Sequence, residues 1–132
     1  MRLFLIGLAA LLIAAPVAAQ KAADYELSCE ASDTWCNISL KQFRKWYPLA
    51  WRGDYQGQRN VAFCLRDGCD GAIRTNPITG CARRMVIVGS GSPKVDSSDT
   101  LNLKTDCGKL DAVDREAASA QAARILAKIP RR

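Results

Sequence analysis

The sequence contains no histidine. That absence removes Ser-His-Asp and Cys-His catalysis, His-ligated metals and covalent haem attachment through C-x-x-C-H. No C-x-x-C pair exists either. Cys64-Leu-Arg-Asp-Gly-Cys69 therefore lacks the spacing that lowers a thiol pKa, and it reads as structural rather than redox-active. The EF-hand pattern is also missing, so Asp67 and Asp70, set among glycines, read as loop acids rather than calcium ligands. Glu26, Glu30 and Asp33 could act in pairs as acid and base, but no cleft-forming pattern surrounds them. The expectation is a non-enzyme with no catalytic residues, no metal and no cofactor.

The only long apolar run is Leu3 to Ala15, in MRLFLIGLAALLIAAPVAA. It is short for a membrane span of about 20 residues. One Arg precedes it, and Pro16 with small residues follows it, which is the layout of a secretory signal peptide cleaved before Gln20. No Cys stands at that point, which disfavours a lipid anchor. Residues 1–19 are thus expected to be a signal peptide, 20–38 a leader and 39–132 a helical domain. The chain is expected to be exported, periplasmic or secreted, with no transmembrane segment in its mature part.

Against these absences stand six cysteines, Cys29, Cys36, Cys64, Cys69, Cys81 and Cys107. An even number in a short exported chain reads as three disulfides, for which sequence alone allows fifteen pairings. The net charge is +6. In a cytosolic protein that would raise nucleic acid as a partner. In an exported one it fits a protein or an anionic envelope component, or simple solubility, and no nucleic-acid partner is expected.

Residues 20–38 are polar without a sustained period, and read as an extended leader with a small Cys29–Cys36 loop. Ser39 and Gln42 form a capping-box pattern. Leu40, Phe43, Tyr47, Ala50 and Trp51 then fall on one helical face, which continues through Pro48 and predicts one kinked helix. Gly53 stops it and Asp54 caps a second helix, about Tyr55 to Arg66, burying Val61, Cys64 and Leu65. Gly57 and Ala62 are small enough to let the two helices approach closely, and the short corner predicts antiparallel packing. A third helix is expected over Ile78–Val88, in competition with a strand at Met85–Val88. A weaker one is expected over Thr100–Cys107, capped by Asp99, with Leu101, Leu103 and Cys107 as its apolar residues. The last, Asp111–Ile129, has acids at its start and bases at its end, as suits the helix dipole. Its expected buried face is Val113, Ala117, Ala118, Ala122, Ile125, Leu126 and Ile129, and Pro130-Arg131-Arg132 reads as a frayed tail.

PLAWRGDYQGQRNVAFCLRDG resembles the helix-corner-helix core of a Sel-one-like repeat, a kind of tetratricopeptide-like repeat. Pro48-Leu49-Ala50, Gly53-Asp54, Gln58, Asn60, Val61-Ala62 and Leu65 stand in the places of that family's pattern, and Gly68 and Gly71 follow near its G-x-G turn. Gly57 stands where the family has Ala, a change that lowers helix propensity. No second full repeat is readable, whereas a solenoid needs about three repeats to bury its faces. The resemblance implies an all-α array of short tetratricopeptide-like hairpins acting as a scaffold for protein complexes. Disulfides are expected to make up for the missing repeats, through Cys29–Cys36, Cys64–Cys69 and Cys81–Cys107. The last would join the start of one helix to the end of its antiparallel partner.

Arg44, Lys45 and Trp46, with Arg83 and Arg84, form the candidate binding surface. Trp46 lies off the apolar stripe, so it reads either as an exposed anchor beside basic residues or as packed under the leader. The expected function is an exported binding or scaffold module. The alternative is a secreted, disulfide-rich enzyme inhibitor or effector.

Overall fold

A computed structural model describes residues 20–130. The expected signal peptide (1–19) and the Arg131-Arg132 end of the tail lie outside the described residues. After a 3-10 turn at Ala22–Asp24 come five α-helices: α1 Thr34–Trp51, α2 Tyr55–Asp67, α3 Pro77–Gly89, α4 Ser97–Gly108 and α5 Ala112–Lys128. The only extended pairing among the described residues is an isolated antiparallel bridge between Glu26 and Ile73. The protein is an all-α array stapled by disulfides Cys29–Cys36, Cys64–Cys69 and Cys81–Cys107.

Each helix opens on Asp or Asn. Asp33 accepts from the N–H of Cys36 at 3.0 Å, Asp54 from Gly57 at 2.7 Å, Asn76 from Thr79 at 3.0 Å, and Asp111 from Asp114 at 2.8 Å. Such a cap stabilises its helix by about 1 kcal/mol. The caps also correct two boundaries. α1 begins at Thr34 rather than Ser39, because Asp33 caps it there, and the first turn was hard to see because Thr34, Trp35, Asn37 and Ile38 face solvent. The leader is correspondingly shorter, and Cys36 lies inside α1. α4 begins at Ser97, capped by Asp96, while Asp99 sits at its third position and accepts from the Asp96 N–H at 3.1 Å.

One helix runs through Pro48. At the corner, Gly53 has a φ of +79°, which favours glycine, and an added Cβ would lie 2.8 Å from Ile129. α1 and α2 then pack antiparallel. The end of α1 meets the start of α2 where a Cβ on Gly57 would lie 2.8 Å from the Ala50 nitrogen. The start of α1 meets the loop after α2, where the Ser39 hydroxyl donates to Asp70 at 2.6 Å. Phe43, Tyr47, Ala50, Val61 and Leu65 fill this interface.

The leader belongs to the same core. Tyr25 is buried edge-on against Phe43, with ring centroids 6.3 Å apart. Its strand-like neighbours pair with the loop after α2: Leu27 N–H donates to Ala72 O at 2.8 Å and Arg74 N–H to Tyr25 O at 2.7 Å.

α3 is the central element, packed against α2, α4 and α5. Its MVIV run is helical, and residues 79–84 together with Val86 and Ile87 are all buried. A helix apolar on most sides is a core helix, and its sequence resembles a buried strand for the same reason. A second core joins Cys81, Ala82 and Val86 to Cys107, Ala118, Ala122 and Ile125, and Trp51 touches both cores. Here two expected faces are corrected. Leu101 on α4 is exposed, as are Val113 and Ala117 on α5. The buried residues of α5 begin at Ala118 and continue through Ala122 and Ile125, so its first turns contribute no buried side chain.

Candidate functional site

The five residues expected to form one basic aromatic surface do not share a surface. Arg83 and Arg84 are 2% and 3% exposed. Both project from α3, the helix enclosed by three others, so that part of the expected patch is corrected to core. Arg83 packs its guanidinium 4.4 Å from the Trp51 ring centroid and 5.8 Å from that of Tyr47. Its Nε and Nη1 have no hydrogen-bond partner among the described residues. Burial pulls its pKa down from the ordinary arginine value. Burial of Tyr25 itself pushes its hydroxyl pKa up to about 12.

Arg84 is held differently. Its Nε donates to Asp106 at 2.8 Å, and Arg66 Nε lies 3.7 Å from the other Asp106 oxygen. One heptad earlier on α4, Asp99 accepts from the Tyr55 hydroxyl at 2.7 Å and lies 3.3 Å from Arg59 Nε. Two acids seven residues apart on α4 thus meet two arginines seven residues apart on α2. The matching spacings, Asp99 with Asp106 and Arg59 with Arg66, were present in the sequence as a signal for this contact.

The exposed part of the expected patch is small. Arg44 makes a two-pronged pair with Glu26, at 3.0 and 2.7 Å, and these hydrogen bonds hold the Glu26 carboxyl below its usual range. Lys45 places Nζ 4.6 Å from the Trp46 ring centroid. Trp46 is half-buried against the first core. It lines a shallow pocket of about 250 Å³ with Phe63, Gln42 and Asn60. Phe63, 43% exposed and off the buried stripe of α2, was the aromatic to add to the sequence reading.

A much larger groove, of about 1110 Å³, lies elsewhere. One wall is the α1–α2 corner and the first turn of α2, residues 53–58. The second is the Gly-Ser-rich stretch 89–94, from the last residue of α3 into the loop after it. The third is the C-terminal half of α5 and the two residues after it, residues 123–130. The corner places these walls: Gly53 lets Ile129 approach, and Gly89 lies against Leu126. Leu126, Ile129, Pro130 and Pro93 supply apolar surface, and Asp54 and Lys94 one charge of each sign. Gln58 is in the lining, 2% exposed. The sequence placed Gln58 in the repeat-like pattern but gave no sign of the groove, whose walls are far apart along the chain.

Fold and site together define an all-α, disulfide-stapled helical array with a groove at its corner. No family model, curated protein or solved structure matches the chain. Among the described residues, no helix is long and apolar enough to cross a membrane.

Proposed function

We propose that the protein is an exported, non-enzymatic binding module that recognises a protein or envelope component through the groove between the α1–α2 corner, loop 89–94 and α5. The groove itself carries this reading. Its volume of about 1110 Å³ lies just above the range of about 300–1,000 Å³ usual for ligand sites, and it combines apolar walls with a few polar groups, as such sites do. With Arg83 and Arg84 in the core, the groove is a better candidate than the Trp46 surface, which remains a secondary contact with Lys45 and Phe63.

Export is supported by three disulfides in a chain whose first residues have a signal-peptide layout. Kinship with Sel-one-like repeats is supported by the tasks of the shared positions. Gly53 turns the corner, Asp54 caps α2, and Gln58, Val61, Ala62 and Leu65 are buried in the hairpin.

Affinity capture from an envelope extract tests the function, with Ala127→Arg as the control. Ala127 is exposed and lines the groove, so an arginine there fills it without disturbing the core. The expected result is a partner retained by the wild-type protein and lost by the variant. Capture that is indifferent to Ala127→Arg would remove the groove from the account. A single enzyme captured in equal amount would assign the protein to the inhibitor class instead of the scaffold class.

A further inference from the structure

α1 carries a second apolar stripe, where a surface helix needs only the one that faces its core. Cys36, Phe43, Tyr47 and Ala50 are buried in the first core. Trp35, Ile38, Gln42, Trp46 and Leu49 recur at i, i+3, i+7, i+11 and i+14, so they share another face of the helix. That face is left outside. Trp35 is 70% and Ile38 40% exposed, and Trp46 and Leu49 are half-buried. Phe63 widens the face from α2, since it lines the same shallow pocket as Gln42 and Trp46.

A row of cations runs beside these side chains. Lys41, Lys45 and Arg52 recur at i, i+4 and i+11, a step further round α1 and its C-terminal cap. All are exposed, and none forms an ion pair among the described residues. After its cap Asp33, α1 contains no acid. Asp67 and Asp70, from the end of α2 and the loop after it, line the pocket, and none of the cations does.

The residue types narrow the occupant. Lysine is depleted where proteins meet proteins. At a bilayer it suits the surface, because its stem lies on apolar neighbours while the ammonium reaches a phosphate. Lys45 is already placed for this, with Nζ 4.6 Å from the Trp46 ring centroid. Tryptophan and phenylalanine favour the headgroup level of a bilayer. A row of cations with no acid among them complements anionic lipid.

We propose that the protein docks on an anionic phospholipid surface through this outer face of α1. Trp35 and Ile38 seat among the headgroups, and Lys41, Lys45 and Arg52 meet lipid phosphates. The helix lies along the surface rather than through it, as an amphipathic helix with an aromatic row and a basic flank does. None of these residues lines the groove, so this is a second site that stands independently of the groove function.

The test uses the chain from Gln20 onward with its disulfides formed, so that the apolar run from Leu3 to Ala15 cannot bind lipid itself. Vesicles of phosphatidylcholine with about 30% phosphatidylglycerol are compared with phosphatidylcholine alone by co-sedimentation. The expected result is binding to the anionic vesicles, about ten-fold or more weaker on neutral ones and weakened by salt. Trp35→Ala should weaken it about ten-fold. Lys41→Gln with Lys45→Gln should weaken it about twenty-fold, from roughly five-fold per cation. A charge-matched control, Lys104→Gln with Lys128→Gln on α4 and α5, should change it by no more than about two-fold. Lipids brominated near the headgroup should quench tryptophan fluorescence, and Trp35→Phe should remove the larger part of that quenching. No binding to the anionic vesicles overturns the proposal. So does an equal loss in the charge-matched control, which would mean net charge without a docking face. Binding with no quenching of Trp35 overturns the seating of this face, and equal binding to neutral vesicles overturns the role of the cations. All the substituted side chains are exposed, so the variants keep both cores intact.

Discussion

A methyl group added at Gly57 would lie 2.8 Å from the backbone nitrogen of Ala50 and 3.1 Å from the Leu49 carbonyl carbon. Those neighbours are helix backbone and cannot step aside without moving α1. By intrinsic propensity, Gly57→Ala should stabilise α2 by about 1 kcal/mol. The packing decides otherwise, and the variant is expected to lose about 1–3 kcal/mol through overpacking, measured by urea unfolding. Asp106 gives a second prediction at this scale. It is buried between Arg84 and Arg66, so Asp106→Ala leaves the Arg84 cation buried and unpaired. A loss of about 3–5 kcal/mol is expected. The double variant Asp106→Leu with Arg84→Met should recover most of it, because a well-packed apolar pair replaces a buried ion pair at little cost. A double variant no more stable than the single one would show that the charges do more than satisfy each other.

Among the elements, α4 is the least conventional. Its buried residues are Asp99, Asp106 and Cys107, Leu103 adds a half-buried apolar contact, and Leu101 points to solvent. Apolar burial therefore contributes little to its docking, and ion pairs to Arg59, Arg66 and Arg84, with the bridge to Cys81, hold it in place. The Cys81–Cys107 bridge closes a sequence separation of 26 residues. Replacing both by alanine should cost about 3.5 kcal/mol in the chain-entropy model. Hydrogen exchange should show α4 losing protection before α1 and α2. Equal loss across all helices would mean that α4 is not separately tethered.

The leader is the other element held by specific pairs. The hydrogen bonds from Arg44 depress the Glu26 pKa in the folded state. A depressed carboxylate contributes stability that is present above its unfolded pKa and is lost as pH falls through its folded value. Wild-type stability should therefore fall more steeply on acidification than that of Glu26→Gln. Denaturant midpoints measured from neutral pH down to the acidic end of the carboxylate range check this. The effect should be small and should shrink with added salt, because Arg44 is largely exposed.

At the scale of the whole molecule, two cores meet at Trp51, one under the α1–α2 hairpin and leader, the other under α3, α4 and α5. Each core is small, and a disulfide closes the margin of both: Cys64–Cys69 at the end of the first hairpin and Cys81–Cys107 across the second core. A helical array this short has exposed ends, and the leader covers one of them. Tyr25 and Leu27 do so by aromatic packing on Phe43 and backbone pairing with Arg74 and Ala72, rather than through the Cys29–Cys36 loop alone.

Much of this was legible in the chain because local chemistry decided it. Asp54 and Asp111 were readable as caps, Gly53 as a stop, and the stripes of α1 and α2 as buried faces. The three cysteine pairs were expected among fifteen possible sets, and the structure forms them. The exceptions have physical causes. α1's first turn faces water, so no apolar period announces it. α3 is enclosed on most sides, so Arg83 and Arg84 looked like surface cations when they are core residues held by aromatic rings and by Asp106.

What the sequence by itself determined is thus the element order, the corner at Gly53-Asp54 and the presence of an even set of cysteines, since each depends on residues close along the chain; which cysteines pair is settled by the packed helices. What only the tertiary structure decided is which charges are buried, which apolar residues are left outside, and where a groove opens. Those depend on segments far apart in sequence, such as Asp54, Pro93 and Ile129, coming within reach of one another. No local pattern encodes that distance, and packing around α3 sets it.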